Sequence, residues 1–375
     1  MKKLIRTAVC LAVLSVISVI AYNIYNTVFD EKEFAEGDYD YYYYLQLDEK
    51  ERQAYTAVRE EIYEFPQKIE SPALTTSQLE DVLNALIYDD PMMFMMSNCK
   101  LIMQGNQAFF VPVYCMDSEE YEVYEKSINQ TLDDISEEIP TNDFEAELFC
   151  HDYIINNCEY SDTDEALEST VAGVLVNGKA KCSGYAKAYK LLLDRVGIES
   201  VLMTGTATDF SGKTQSHMWN AVKIEDSWCY TDTTWDDPLT EDGNAVCRHI
   251  YFNMTEEMIS RTHDEFEFDE ECNNPSLYYY IIYGAYFDKC GESLVSSVSD
   301  LIAKAAISGQ NKVEFMLSSD SVMSQALIQL FEEERIYRSL ETAALKTGMS
   351  IVTDSLSYSA NIDERLITII FETKG

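Results

Sequence analysis

Three residue types at suitable places could together break an amide bond: Cys182, His217 and Asp232. A thiolate attacks a carbonyl and a thiol does not. A nucleophilic cysteine therefore needs its pKa lowered, and a helix N-terminus with a neighbouring protonated histidine does that. Cys182 follows a glycine-containing loop in "GKAKCSGYAKAYKLLLDRVGIE", where an amphipathic helix begins. Tyr185, Ala186, Tyr189, Leu192, Leu193 and Val196 form its docking stripe, and Gly178 and Gly184 permit close packing around the thiol.

There are four histidines to supply the base. His151 lies on an apolar helical stripe with Phe144, Leu148 and Ile155, the setting of a core histidine. His249 and His263 sit in mixed, surface-like sequence. His217 opens "HMWNAVKIEDSWCYTD", which reads as a hairpin turning at Glu225-Asp226. A two-residue turn sets Ile224 opposite Ser227 and Trp219 opposite Asp232. His217 and Asp232 then share one sheet face as diagonal neighbours. A four-residue turn sets them directly opposite; only an odd-length turn separates them. Cys229 points to the other face.

These blocks carry a resemblance. "GKAKCSGYAKAYKLLLDRVGI" followed by "SHMWNAVKIEDSWCYTDTTWDDP" resembles the bacterial transglutaminase-like superfamily, with its Cys-x-Gly-Tyr-Ala helix start, His-x-Trp-Asn strand and closing Thr-Trp-Asp-Asp-Pro run. The resemblance spans about residues 142–265. It implies a nucleophile at Cys182, a general base and acid at His217 and an orienting carboxylate at Asp232. It also implies a papain-like α+β core with the cysteine helix packed on an antiparallel sheet. Trp219, Trp235 and Asp236 are expected at the substrate cleft, although packing for the tryptophans and a turn ended by Pro238 for Asp236 and Asp237 are equally open. The Cys182 backbone N–H is the physical candidate for the oxyanion donor.

The chemistry expected is acyl transfer through a Cys182 thioester on protein or peptide amides, giving cross-linking, deamidation or peptide hydrolysis. The same three groups serve all of these. The alternative is a non-catalytic surface binding or scaffold module that keeps the fold. No cofactor and no metal are expected. A metal set drawn from Cys247, His249, His263 and Cys272 fits no common zinc spacing, and no calcium-site pattern is present. Met92, Met93, Met95 and Met96 read as packing residues.

The surrounding chain sets the context. Its 375 residues allow several domains with real cores, and 46% hydrophobic with 25% charged residues is ordinary for globular protein. The formal charge of -39 repels phosphates and anionic headgroups, so nucleic-acid partners are disfavoured. "MKKLIRTAVCLAVLSVISVIAY" has a basic start and an apolar run, and acidic sequence begins at Asp30. That polarity favours export of the rest, with an uncleaved membrane anchor preferred over a cleaved signal peptide. Val19-Ile20-Ala21 is a poor cleavage site, and "TAVC" at Cys10 only weakly matches a lipoprotein signal. Nine of the ten cysteines follow the run; an odd number in an oxidising compartment leaves one thiol unpaired unless chains cross-link.

The expected organisation is a signal-anchor or signal peptide at 1–29, a tyrosine-rich linker at 30–44, a small α+β domain at 45–140, the catalytic domain at 141–274 and an α/β domain at 275–375. In the first domain, helices are expected from Asp48 to Phe65 and after Thr76, with a hairpin turning at Gly105-Asn106. Another helix ends at Pro140, and a further one opens at Thr141 or Asn142. In the last domain, "SLYYYIIYGAYF" reads as a strand. A helix, the strand "KVEFMLS", a long helical stretch and the closing strand "ERLITIIFETK" follow. No internal repeat or low-complexity tract is present.

Overall fold

The computed structural model describes residues 34–374 apart from 162, 164 and 239–246. The expected anchor, with Cys10, lies outside the described residues. Among the described residues, no helix is long and apolar enough to cross a membrane. The chain divides into two compact units, residues up to Glu125 and residues from Lys126 onward.

The first unit begins with α1 (Tyr42–Gln46) and α2 (Glu49–Glu61). Asp48 and Glu51 form a reciprocal capping box that starts α2. Packing begins within the stretch expected to be linker: Tyr44 is buried against Tyr55, and its backbone N–H donates to Asp89. Strand β1 (Ile69–Ser71) and helix α3 (Thr76–Asp89) follow, the latter capped by Thr75. β2 (Met96–Gln104) and β3 (Gln107–Tyr114) form the expected hairpin, with Gly105 at φ 64° in its turn. β1 adds to β3, giving a three-stranded antiparallel sheet. Met93, Met95 and Met96 are buried in this core. α4 (Ser118–Ser136) runs across the division between the units.

The second unit opens with α5 (Asp143–Asn157), capped by Asn142. The short parallel pair β4 (Glu159–Tyr160) and β5 (Lys179–Ala180) brackets the loop that leads to α6 (Cys182–Val196). Gly197, at φ 79°, ends α6 in the left-handed conformation. β6 (Ser200–Thr208), β7 (Thr214–Ile224), β8 (Ser227–Thr231) and the short β9 (His263–Asp264) make an antiparallel sheet ordered β8-β7-β6-β9. α7 (Glu256–Ile259) precedes β9. α6 packs on β6 and β7, and the Asn220 amide on β7 donates to the Ala186 carbonyl of α6 at 3.0 Å.

Residues 276–287 differ from expectation. They form a 3-10 turn, the short α8 (Tyr279–Ile282) and a two-residue β10 (Tyr286–Phe287) in place of one strand. The backbone closes on itself here: the Ile282 and Tyr283 N–H groups donate to the Tyr278 and Tyr279 carbonyls, and Gly284 at φ 69° ends the turn. α9 (Glu292–Ile307), β11 (Lys312–Leu317), α10 (Asp320–Leu327), α11 (Ile336–Thr347), β12 (Ser350–Asn361) and β13 (Leu366–Lys374) complete the unit. The long helical stretch is thus broken between α10 and α11, and β12 had no counterpart in the sequence reading. The sheet order is β10-β11-β13-β12.

Candidate active site

Cys182 is the first residue of α6, and its side chain is half-buried. Helix geometry leaves its backbone N–H without an acceptor inside the helix. Lys181, the preceding residue, makes no side-chain cap. The turn is held tightly from behind: a Cβ at Gly184 would lie 2.5 Å from the Glu168 carbonyl oxygen and 2.8 Å from the Ala180 Cβ. Glycine is therefore required two residues after the thiol.

The β7–β8 hairpin takes the two-residue turn, with Ile224 opposite Ser227 and Asn220 opposite Thr231. Glu225 in the turn has φ 55°. This register brings His217 and Asp232 together, and His217 Nε2 donates to Asp232 Oδ2 at 2.8 Å. Both side chains are buried. The other ring nitrogen, Nδ1, is buried without a hydrogen-bond partner among the described residues. The Cys182 thiol lies near enough to influence the ring.

The electrostatics follow from these contacts. Burial alone would lower the His217 pKa, but the Asp232 charge and hydrogen bond, with a smaller effect from Cys182, outweigh it and raise the value to about 10. Burial would likewise raise Asp232, yet His217 and His263 hold it below the carboxylate range. Asp232 Oδ1 accepts the backbone N–H groups of Thr234 at 3.0 Å and Trp235 at 3.2 Å, which fixes the carboxylate plane.

His263 is the residue the sequence reading missed. It is buried, and its Nε2 donates to the same Asp232 Oδ2 at 3.0 Å. Its Nδ1 meets Thr262 Oγ1 at 2.9 Å. Its setting on β9, antiparallel to β6, was the hidden signal: a two-residue strand is too short to show periodicity. Lys187 on α6 was also missed. Its Nζ donates to the Ser169 carbonyl at 3.2 Å; desolvation lowers its pKa to about 8, against the opposing effect of Cys182.

Two of the three expected substrate contacts need correction. Trp219 is only 1% exposed; it packs against the imidazoles of His217 and His263 and against Phe266. Asp236 is wholly buried, accepting the backbone N–H groups of Ile250 and Tyr251 and facing His151. Neither has surface to offer a substrate. Trp235 is half-buried, with its ring 5.9 Å from that of His217. The metal set drawn from sequence also comes apart: His263 binds Asp232, while Cys247 and His249 join His151 and Asp152 elsewhere.

Residues 133–233 match the family described as the Transglutaminase-like superfamily. That match covers about a quarter of the chain and includes Cys182, His217 and Asp232. The matched segment lies in a mixed α+β core with the cysteine helix packed on an antiparallel sheet. The chain is similar to the Kyphoscoliosis peptidase of Mus musculus, 27% identical over 150 residues that make up 36% of this chain and 22% of that protein. It is also similar to a solved structure described as a TGase, with 14% identity, a TM-score of 0.27, and coverage of 43% of this chain and 48% of that one. The chain therefore spans about a fifth of the curated relative and under half of the solved structure. All nine cysteines among the described residues are free thiols.

Proposed function

We propose that this protein is an exported cysteine acyltransferase that acts on protein or peptide amides through a thioester at Cys182. The observation that carries the reading is the buried His217–Asp232 hydrogen bond beside a thiol at a helix start. A positioned nucleophile, a base and an orienting carboxylate are the groups acyl transfer requires. The basic start and apolar run of the sequence support the placement outside the cytoplasm.

In the proposed reaction each step uses a group already placed at the site. His217 Nε2 is committed to Asp232, so proton transfer falls to Nδ1. The raised pKa keeps the ring protonated near neutrality, giving the Cys182 thiolate a counter-charge. Sγ attacks the carbonyl carbon, and the new oxyanion sits at the α6 start, facing the Cys182 N–H. The C–N bond then breaks as Nδ1 hands its proton to the leaving amine, which leaves a thioester. Nδ1 next takes a proton from water or a primary amine as that nucleophile attacks, and Sγ departs. Water gives hydrolysis or deamidation, and an amine gives a cross-link. The word peptidase in the name of the mouse relative supports the hydrolytic branch.

The test incubates the full-length chain with a glutamine-containing acceptor protein and a primary amine, with Cys182→Ala in parallel and products read by mass spectrometry. Cleaved, deamidated or amine-linked products that vanish in the variant support the proposal and name the branch. An unchanged acceptor together with a Cys182 that ignores an electrophilic thiol probe overturns it in favour of a non-catalytic binding module.

A further inference from the structure

We propose a second site in this chain, a zinc-binding site built from His151, Asp152, Cys247 and His249. The four side chains come from two segments, adjacent positions on α5 and a Cys-x-His stretch at 247–249. One ligand atom from each lies within 4.8 Å of the others. Asp152 Oδ1 sits 2.9 Å from His151 Nδ1, 2.8 Å from His249 Nε2 and 3.3 Å from Cys247 Sγ. Cys247 Sγ is 3.8 Å from His249 Nε2. Ligands around a tetrahedral zinc ion, with bonds of about 2.0–2.3 Å, stand roughly 3.3–3.8 Å apart. These four contacts therefore reach that spacing with shifts of less than about 1 Å each.

The donor types select the ion. Two imidazoles, one thiolate and one carboxylate form a set that zinc accepts and that hard oxygen-seeking cations do not. The groups behind the ligands match as well. His151 turns Nδ1 to the cluster and Nε2 to the buried carboxylate of Asp236, at 3.2 Å. Asp236 is itself held by the Ile250 and Tyr251 backbone N–H groups. A buried carboxylate that takes the far N–H of a ligating histidine fixes its tautomer and its aim. The His249 ring is clamped by stacking on Tyr279, with centroids 4.1 Å apart and planes 8° apart. His151 is wholly buried, and Asp152, Cys247 and His249 are half-buried.

The site lies outside the Cys182–His217–Asp232 set and shares no ligand with it. It is linked to that set through the chain, because Asp236 and Asp232 belong to one turn in which the Asp236 N–H donates to the Asp232 carbonyl at 3.3 Å. A bound ion would pin α5 to the 247–251 segment behind this turn, a structural clamp with four protein ligands and no open position. Binding displaces the Cys247 thiol proton and the protons that His151 Nδ1 and His249 Nε2 share with Asp152.

The test uses full-length chain carrying Cys182→Ser, which removes the active-site thiol as a competing ligand, purified without a metal-binding tag. Zinc is added, the excess is removed, and bound metal is counted by plasma mass spectrometry; affinity is read by competition with a chromophoric chelator. One zinc per chain is expected, with Cys247→Ser and His249→Ala each weakening binding at least about 100-fold and Asp236→Asn by about 10- to 100-fold. Cobalt in place of zinc is expected to give a thiolate charge-transfer band that Cys247→Ser loses. Absence of stoichiometric zinc, or zinc retained unchanged in both Cys247→Ser and His249→Ala, overturns the site. Where a variant fails to fold by circular dichroism, the parent's cobalt spectrum decides: no thiolate band means no site.

Discussion

At the scale of single residues, the site is an electrostatic arrangement around one carboxylate. Asp232 Oδ2 accepts from two imidazoles, and its Oδ1 from two backbone N–H groups. His263→Leu removes one donor from a buried charge. We predict a stability loss of about 1–3 kcal/mol by denaturant titration, with reduced turnover. His263→Gln keeps an N–H donor and is expected to recover part of both; equal losses in the two variants would exclude a positioning role. His217 makes stability depend on pH with a definite sign. Its folded pKa, about 10, lies above the unfolded value of about 6.5, so the folded state binds the extra proton between these values. Its contribution is complete below about pH 6.5 and is lost as pH rises toward 10. Unfolding measured from pH 6 to 10 should show stability falling in the parent and a flatter profile in His217→Gln. The pairing of His217 with Asp232 was legible because strand alternation and a two-residue turn leave few options. His263 and the His151–His249 cluster were not, because both depend on chain segments far apart in sequence.

At the scale of elements, the thiol's position is set by the close approach of α6 to the loop that precedes it. Glu168 both accepts the Lys181 N–H at its carbonyl and, by its side chain, binds the hydroxyls of Ser161 and Thr163. That carbonyl is the atom a Gly184 side chain would strike. Gly184→Ala must therefore push the helix start away from the loop. We predict a cost of about 1–3 kcal/mol and a slower reaction of Cys182 with an electrophilic probe. Gly197→Ala at the other end meets no neighbouring atom and strains only the left-handed backbone, so it should lower stability while leaving thiol reactivity unchanged. Identical effects on reactivity would show that the helix start is not specially placed. The apolar stripe of α6 and its glycine stop at Gly197 made this element readable from sequence. The stretch at 276–287 was not, since a tyrosine-rich run suits a strand by propensity, whereas the chain turns at 279–282 and closes at Gly284 with φ 69°.

At the scale of the whole second unit, the residues after Asn274 complete the core around the site. The Tyr278 hydroxyl donates to the Ile250 carbonyl at 3.0 Å, deep in the interior. Tyr279 covers His249, Arg248 pairs with Glu364 at 3.3 Å, and Arg261 donates to the Asp363 carbonyl at 2.9 Å. Composition could not reveal this, because a chain with a net charge of -39 spreads acidic surface everywhere and marks no boundary. Ile250, at the centre of these contacts, directly follows His249 and precedes Tyr251, whose N–H is held by Asp236. Loss of the tyrosine cover should thus propagate to the turn that carries Asp232. A chain ending at Asn274 is predicted to lose the single cooperative unfolding transition of the second unit and the probe reactivity of Cys182 together. Tyr278→Phe in the full chain tests the same linkage gently: the unpartnered Ile250 carbonyl should cost about 1–3 kcal/mol without abolishing the fold. A truncated chain that still melts cooperatively and labels at Cys182 at the full-length rate would show that the core stands without residues 275–375.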